Sequence, residues 1–98
     1  SQMMRDMVLW SKETKNLLSK GEVIDDVPQN FYDLANQKAT LDEHLEAAFQ
    51  GMVPSYTNAL KGIDRKDSQQ YYYDASIRAC KNCHTVYCEG PLSVINQL

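Results

Sequence analysis

The residues with the clearest chemical potential form one short run near the C-terminal end, Cys80-Lys81-Asn82-Cys83-His84. Residues three and four positions apart share a face of an α-helix, so a helix through this run presents two thiols and one imidazole side by side. The spacing C-x-x-C-H is the attachment signal for c-type haem. The thiols can form thioethers with the two vinyl groups while the imidazole coordinates iron. We therefore predict one covalent haem c on Cys80, Cys83 and His84.

Other roles for the same side chains stay open from the sequence alone. Two cysteines and a histidine could occupy a helix face without any ligand. Cys80, Cys83 and Cys88, with His84 or His44, could instead bind zinc in a small zinc-binding module. Zinc sites usually pair one C-x-x-C with a second, distant pair, and the sequence has no such pair. A thioredoxin-like redox pair would need a βαβ setting, which the helical pattern lacks.

Apolar residues recur at three- and four-residue steps, which predicts helices and no strands. The first predicted helix covers residues 2–20 and ends at Gly21. The second begins with Pro28 in its first turn and ends near Lys38. Its length is short for a bundle helix.

The third predicted helix begins at Leu41, because Thr40-Leu41-Asp42-Glu43 is a capping-box pattern. Gly51 and Pro54 interrupt it, so we expect a kink or a short break there. Gly62 is expected to end it.

The fourth predicted helix is capped by Asp67 or Ser68 and stops at Gly90-Pro91. One face of it carries Tyr73, Ile77, Cys80, His84 and Tyr87. Four helices of uneven length joined by short loops predict an all-α fold, an antiparallel four-helix bundle that forms a single domain over residues 1–98.

The position of the C-x-x-C-H run resembles the cytochrome c′ group of class II four-helix cytochromes. In that group the signature closes the final helix as C-x-x-C-H-x-x-[FY]-[RK]. Residues 80–87 fit this pattern through Tyr87, whereas Cys88 stands where the family has a basic residue. The resemblance is close over the last helix and loose over the bundle order. It implies a periplasmic haem protein with the haem between the first and last helices, and we expect Tyr73, Ile77 and Tyr87 to contact haem or core.

The side of the iron opposite His84 decides the function. A Met thioether there gives six-coordinate, low-spin iron with a raised reduction potential, which suits a soluble electron carrier. An apolar residue leaves the iron five-coordinate and open to NO or CO, as in typical cytochromes c′. We predict His/Met ligation and keep the gas-binding protein as the alternative.

The predicted first helix offers Met3, Met4 and Met7 within two turns. Met7 is the preferred ligand because it continues the apolar stripe through Trp10 and Leu17, with Met4 second and Met3 third. Any of the three could instead simply fill the core.

A rival register follows from the family's Arg-x-x-x-[Leu/Met] pattern on the first helix. Arg5 and Leu9 match it, which would make Leu9 the residue over the iron and Arg5 a partner for a haem propionate. Arg5 is therefore also a candidate haem-binding residue.

The composition excludes some classes of binding partner. The net charge is −3 with both signs spread along the chain, which argues against nucleic acid. No apolar run is long enough to span a membrane. We expect a redox partner protein and, since no acid–base constellation is visible, no enzymatic activity. If the protein is exported, its signal peptide is absent from this chain.

Two further side chains have ordinary interpretations. His44 lies among Asp42, Glu43 and Glu46 and reads as a solvated surface histidine. Cys88 reads as a buried free thiol, and the alternative is an intermolecular disulfide that joins a homodimer.

Overall fold

The computed structural model describes residues 2–37, 43–87 and 92–98, with side chains described for 2–37, 46–85 and 94–98. Over these ranges the protein is all-helical and contains no strand, which confirms the predicted class. The elements are α1 (Gln2–Ser19), a 3-10 helix (Gln29–Asn36), α2 (Glu43–Asp64), α3 (Gln69–Tyr87) and a short α4 (Leu92–Ile95).

Helix α1 ends where its sequence predicts. Gly21 adopts a positive φ of 76°, which costs glycine little because it has no Cβ. The Glu22 N–H donates to the Leu17 carbonyl at 3.0 Å and the Gly21 N–H to the Leu18 carbonyl at 3.0 Å. This pair of bonds is the Schellman pattern that satisfies the last carbonyls of a helix.

The predicted second helix is a 3-10 helix. Pro28 precedes it rather than lying in its first turn, and the Pro28 carbonyl accepts the Phe31 N–H at 3.1 Å. Residues three apart line up in this helix type, so Phe31 and Leu34 are both buried on one face. Trp10 of α1 meets Phe31 edge-on, with ring centroids 5.9 Å apart.

Helix α2 runs unbroken through Gly51 and Pro54, so a break at these residues, one of the two expected outcomes, is wrong. Both lie at exposed positions, where water can solvate the carbonyl that Pro54 leaves without a donor. Gly62 does not end the helix either, because α2 continues to Asp64. The start predicted at Leu41 and the capping residue Thr40 lie outside the described residues.

Helices α2 and α3 are joined by residues 65–68 and make the most extensive helix–helix contact, whereas α1 approaches α3 and the 3-10 helix at fewer points. Most of the large buried side chains lie between these elements: Ile24, Val27, Phe31, Leu60, Ile63 and Tyr73. The bundle is therefore tightest around the α2–α3 pair, and α1 is its more loosely attached helix.

One end of the bundle is closed by side chain to backbone hydrogen bonds. The Gln69 amide donates to the carbonyls of Ile24 at 2.8 Å and Ile63 at 2.9 Å, and it accepts the Ile24 N–H at 3.0 Å. Asp64 accepts the Val27 N–H at 2.9 Å. These bonds fix the segment that links α1 to the 3-10 helix against the α2–α3 turn.

Candidate functional site

A pocket lies at the other end of the bundle, where α1 and α2 begin and α3 ends. Four elements line it, with side chains from α1 (Met4, Met7), the 3-10 helix (Leu34), α2 (Phe49, Met52, Val53, Tyr56) and α3 (Ala79, Cys80, Cys83, His84). The lining is almost wholly apolar, and its polar groups are two thiols, one imidazole and one phenol. The C-x-x-C-H run therefore shares one pocket with α1.

Helix α3 brings the three predicted attachment residues together. Their spacing puts them on one face, and Cys80, Cys83 and His84 are all half-buried at the pocket wall. Neither Cys80 nor Cys83 is part of a disulfide. Burial, and next the neighbouring Cys83, raise the pKa of Cys80 to about 12. Cys80 is thus held as a neutral thiol at physiological pH.

Helix α1 brings two of its three methionines to the same pocket. Met7 is only 6% exposed and Met4 is half-buried, and both line the pocket. Met3 is buried in the core but does not line the pocket. The inward stripe of α1 follows Met3, Met7, Ser11 and Thr14.

The residues of the rival register on α1, Arg5 and Leu9, lie outside the pocket. Leu9 is 59% exposed and does not line the pocket. Arg5 is also exposed, and its guanidinium donates to the Gln2 side chain at 3.1 Å. Both side chains point away from the pocket that holds Met4 and Met7.

The remaining predicted haem contacts are less central. Tyr73 and Ile77 are buried in the core but do not line the pocket. The Tyr73 hydroxyl donates to the carbonyls of Ser11 at 3.2 Å and Leu98 at 3.1 Å. The Tyr87 side chain, Cys88 and the His44 side chain lie outside the described residues.

Helix α2 contributes residues that the sequence analysis did not assign to the site. Phe49, Met52, Val53 and Tyr56 recur at three- and four-residue steps, so their shared face was visible in the sequence. Nothing in the sequence indicated that this face of α2 would contact the C-x-x-C-H run, which was expected to face only α1. Met52 adds a third methionine to the pocket.

Tyr56 is the polar exception on the α2 wall. It is 4% exposed, and among the described residues its hydroxyl has no hydrogen-bond partner. Burial, followed by the neighbouring Cys80 and Tyr32, raises the pKa of Tyr56 well above its usual value. The phenol therefore stays neutral and remains a potential donor.

No family model matches this chain, and no curated protein or solved structure matches it. The site must therefore be interpreted from its own residues. Within the described ranges, no three His, Cys, Asp or Glu side chains form a group arranged to hold a metal ion. None of the described helices combines the length and the apolar character that crossing a membrane requires.

The donor set of the pocket fits a c-type haem. It combines two thiols outside any disulfide, an imidazole, thioether sulfurs from another helix and an apolar lining, together with a buried phenol for which the described residues supply no hydrogen-bond partner. The cavity at this pocket measures about 30 Å³. Pockets for cofactors usually measure roughly 300–1,000 Å³, so a macrocycle would have to separate α1 from α2 and α3.

Proposed function

We propose that this protein is a monohaem c-type cytochrome and acts as a soluble electron carrier. In this proposal Cys80 and Cys83 would hold the haem through thioethers, and His84 and Met7 would bind its iron. The observation that carries it is that Cys80, Cys83 and His84 share one apolar pocket with Met7 and Met4.

The chemistry of attachment suits two cysteines that are not joined in a disulfide. Each S–H group adds across one vinyl double bond, so that one C–S bond forms, the hydrogen passes to the neighbouring carbon, and no net oxidation occurs. Burial raises the pKa of Cys80 to about 12, so its sulfur carries the proton that such an addition transfers to the vinyl carbon.

A bound haem would supply one-electron exchange between ferric and ferrous iron. The residues of the chain would control that exchange in two ways. The imidazole of His84 and the thioether of Met7 would keep iron low-spin and raise its reduction potential. The apolar side chains of Leu34, Phe49 and Val53 would keep water away from the ligands.

The proposal includes a location and a partner. Attachment of haem c and the resemblance of residues 80–87 to cytochromes c′ support a periplasmic protein. An electron carrier needs a redox partner protein, and docking would have to bring that partner close to the pocket end of the bundle.

The test is expression with a haem c attachment system, followed by intact mass and acid–acetone extraction. We expect the mass of the chain plus one haem, with the colour retained on the protein. Cys80→Ala and Cys83→Ala should each lower attachment, whereas Cys88→Ala, which alters the cysteine outside the motif, should leave it unchanged. Colour that extracts freely, or a mass that shows zinc, would overturn the proposal.

A second candidate, a five-coordinate gas-binding haem protein, is favoured by one observation. The Tyr56 side chain lines the pocket, and its hydroxyl has no hydrogen-bond partner among the described residues. A haem whose iron is held by His84 and a methionine needs no such donor. Absorption spectra in both oxidation states separate the two. A low-spin ferric spectrum with a Met–iron charge-transfer band supports electron transfer, and a high-spin spectrum that shifts with CO supports gas binding.

A further inference from the structure

Tyr56 is a buried hydrogen-bond donor for which the described residues supply no acceptor. Its side chain is 4% exposed, and no described residue accepts its hydroxyl proton. Leaving such a group unpaired costs about 1–3 kcal/mol. A phenylalanine would fill the same space without that cost, so the presence of the hydroxyl points to a hydrogen-bond acceptor supplied by a ligand.

Two other tyrosines of the same bundle, Tyr73 and Tyr32, have hydrogen-bonded hydroxyls. The Tyr73 hydroxyl donates to two backbone carbonyls, at 3.2 and 3.1 Å. The Tyr32 hydroxyl donates to the carboxylate of Asp64 at 2.6 Å. The fold therefore supplies acceptors for these two hydroxyls, whereas the described residues supply none for Tyr56, whose side chain lines the pocket.

We infer that Tyr56 donates a hydrogen bond to a small ligand held in the pocket, of the class that carries one exposed oxygen or nitrogen acceptor, such as NO, O₂ or azide. The inference rests on the proposed haem, whose iron would bind that ligand in place of the Met7 thioether. Tyr56 is then a residue that selects for polar over apolar small ligands.

The position of Tyr56 favours an acceptor at the iron over a haem propionate. Tyr56 lies beside Cys80, which would hold a vinyl group, and the vinyl and propionate edges of a haem face away from each other. Tyr56 is also almost fully excluded from solvent, whereas a propionate charge is costly to bury. A small uncharged or singly charged ligand at the iron meets neither difficulty.

Azide binding to the ferric holoprotein tests the inference. Azide would be titrated by absorption into Met7→Ala, in which the proposed axial thioether is gone, and into Met7→Ala with Tyr56→Phe. We expect Tyr56→Phe to raise the azide Kd about tenfold, as loss of a hydrogen bond to a charged ligand would. In the ferrous CO complex it should also shift the C–O stretch to higher frequency. If the parent binds azide, the same comparison is made in the parent.

The matched control is Tyr73→Phe, which removes a hydroxyl that is already paired and does not line the pocket. It should leave the azide Kd and the C–O stretch unchanged. If haem is present but Tyr56→Phe changes neither the azide Kd nor the C–O stretch, the inference is overturned and the proposed function is not. A haem protein that binds no azide, with or without Met7, has the same consequence. A change in reduction potential without a change in azide affinity assigns Tyr56 to a propionate and also overturns it. A parent without haem overturns the proposed function first.

Discussion

The ring of Tyr72 lies against the backbone of Gly62, so closely that a Cβ atom on Gly62 would be 2.2 Å from Tyr72 Cγ. The contact is with the base of the ring, which cannot move aside without moving the whole side chain. Tyr72 is further held by the Arg65 guanidinium, 5.6 Å from its ring centre. Gly62 therefore lets α2 and α3 approach each other.

We expect Gly62→Ala to lower the free energy of unfolding by about 1–3 kcal/mol, the usual cost of overpacking. Chemical denaturation of the purified protein measures this. Gly51→Ala is the matched control, because Gly51 lies in the same helix with nothing within 4 Å of an added Cβ. Gly51→Ala should raise stability by about 0.5–1 kcal/mol. Equal effects at the two glycines would contradict the close-approach role of Gly62.

The carboxylate of Asp64 makes stability depend on acid pH. Burial opposes its charge, but hydrogen bonds from Tyr32, the Val27 N–H and Gln29 outweigh burial and hold the pKa of Asp64 below its ordinary value of 3.8. The unfolded chain then binds more protons than the folded one in this range. The contribution of Asp64 is fully present above that ordinary value and is lost as the pH falls through the folded pKa.

Thermal unfolding measured from pH 7 down to pH 3 tests this dependence. Asp64→Asn should reduce the loss of stability on the acid side, at the cost of lower stability at pH 7. Tyr32→Phe removes one donor to Asp64 and should reduce the acid loss in part. An acid limb that is identical in the parent and in Asp64→Asn would show that other carboxylates produce it.

Local signals predicted the fold well where one residue decides the outcome. Gly21 ends α1 because a positive φ is needed there, and no distant contact had to be known. Gly62 failed as a predicted helix end because its role depends on Tyr72, which belongs to another helix. Pro54 failed as a predicted break because its exposed position leaves the freed carbonyl in water.

Some residues of the candidate site could likewise be predicted from local sequence, and others could not. Cys80, Cys83 and His84 could be placed on one face from their spacing alone. Tyr56 could not be assigned to the site, because its unpartnered hydroxyl becomes visible only once α2 is packed against α3. Whether the pocket holds a haem stays a prediction that attachment experiments decide.

The loose attachment of α1 makes its folding sensitive to what fills the pocket. In the haem-free double variant Cys80→Ala/Cys83→Ala, we expect a broad thermal transition and weak near-UV dichroism, since folding and cofactor binding are coupled in small domains. His84→Ala in the holoprotein should cost at least about 2 kcal/mol, because loss of a metal ligand is among the larger destabilising changes.

Hydrogen exchange locates this effect in the chain. Amides of α1 should lose protection first, while those of α2 and α3 should keep more of it, since these two helices pack on each other most extensively. Cys88→Ala serves as the control with haem attached. A haem-free chain that unfolds sharply and cooperatively would contradict the coupling.

The last prediction concerns the methionine opposite His84. Met4, Met7 and Met52 all line the pocket, and Met7 is the one buried to 6% exposure. A thioether on a well-packed turn holds iron better than one nearer the fraying end of α1. We therefore expect Met7→Ala to convert low-spin iron to high-spin, lower the reduction potential and create CO binding in the ferrous state.

The other methionines provide the controls. Met3→Ala removes a core side chain that does not line the pocket and should lower stability without changing the spectrum. Met4→Ala and Met52→Ala remove pocket side chains and should leave iron low-spin. A spectrum that changes with Met4→Ala or Met52→Ala but not with Met7→Ala would move the ligand to that residue. If the parent is already high-spin and binds CO, no methionine is the ligand, the position next to Tyr56 is open, and gas binding replaces electron transfer as the function.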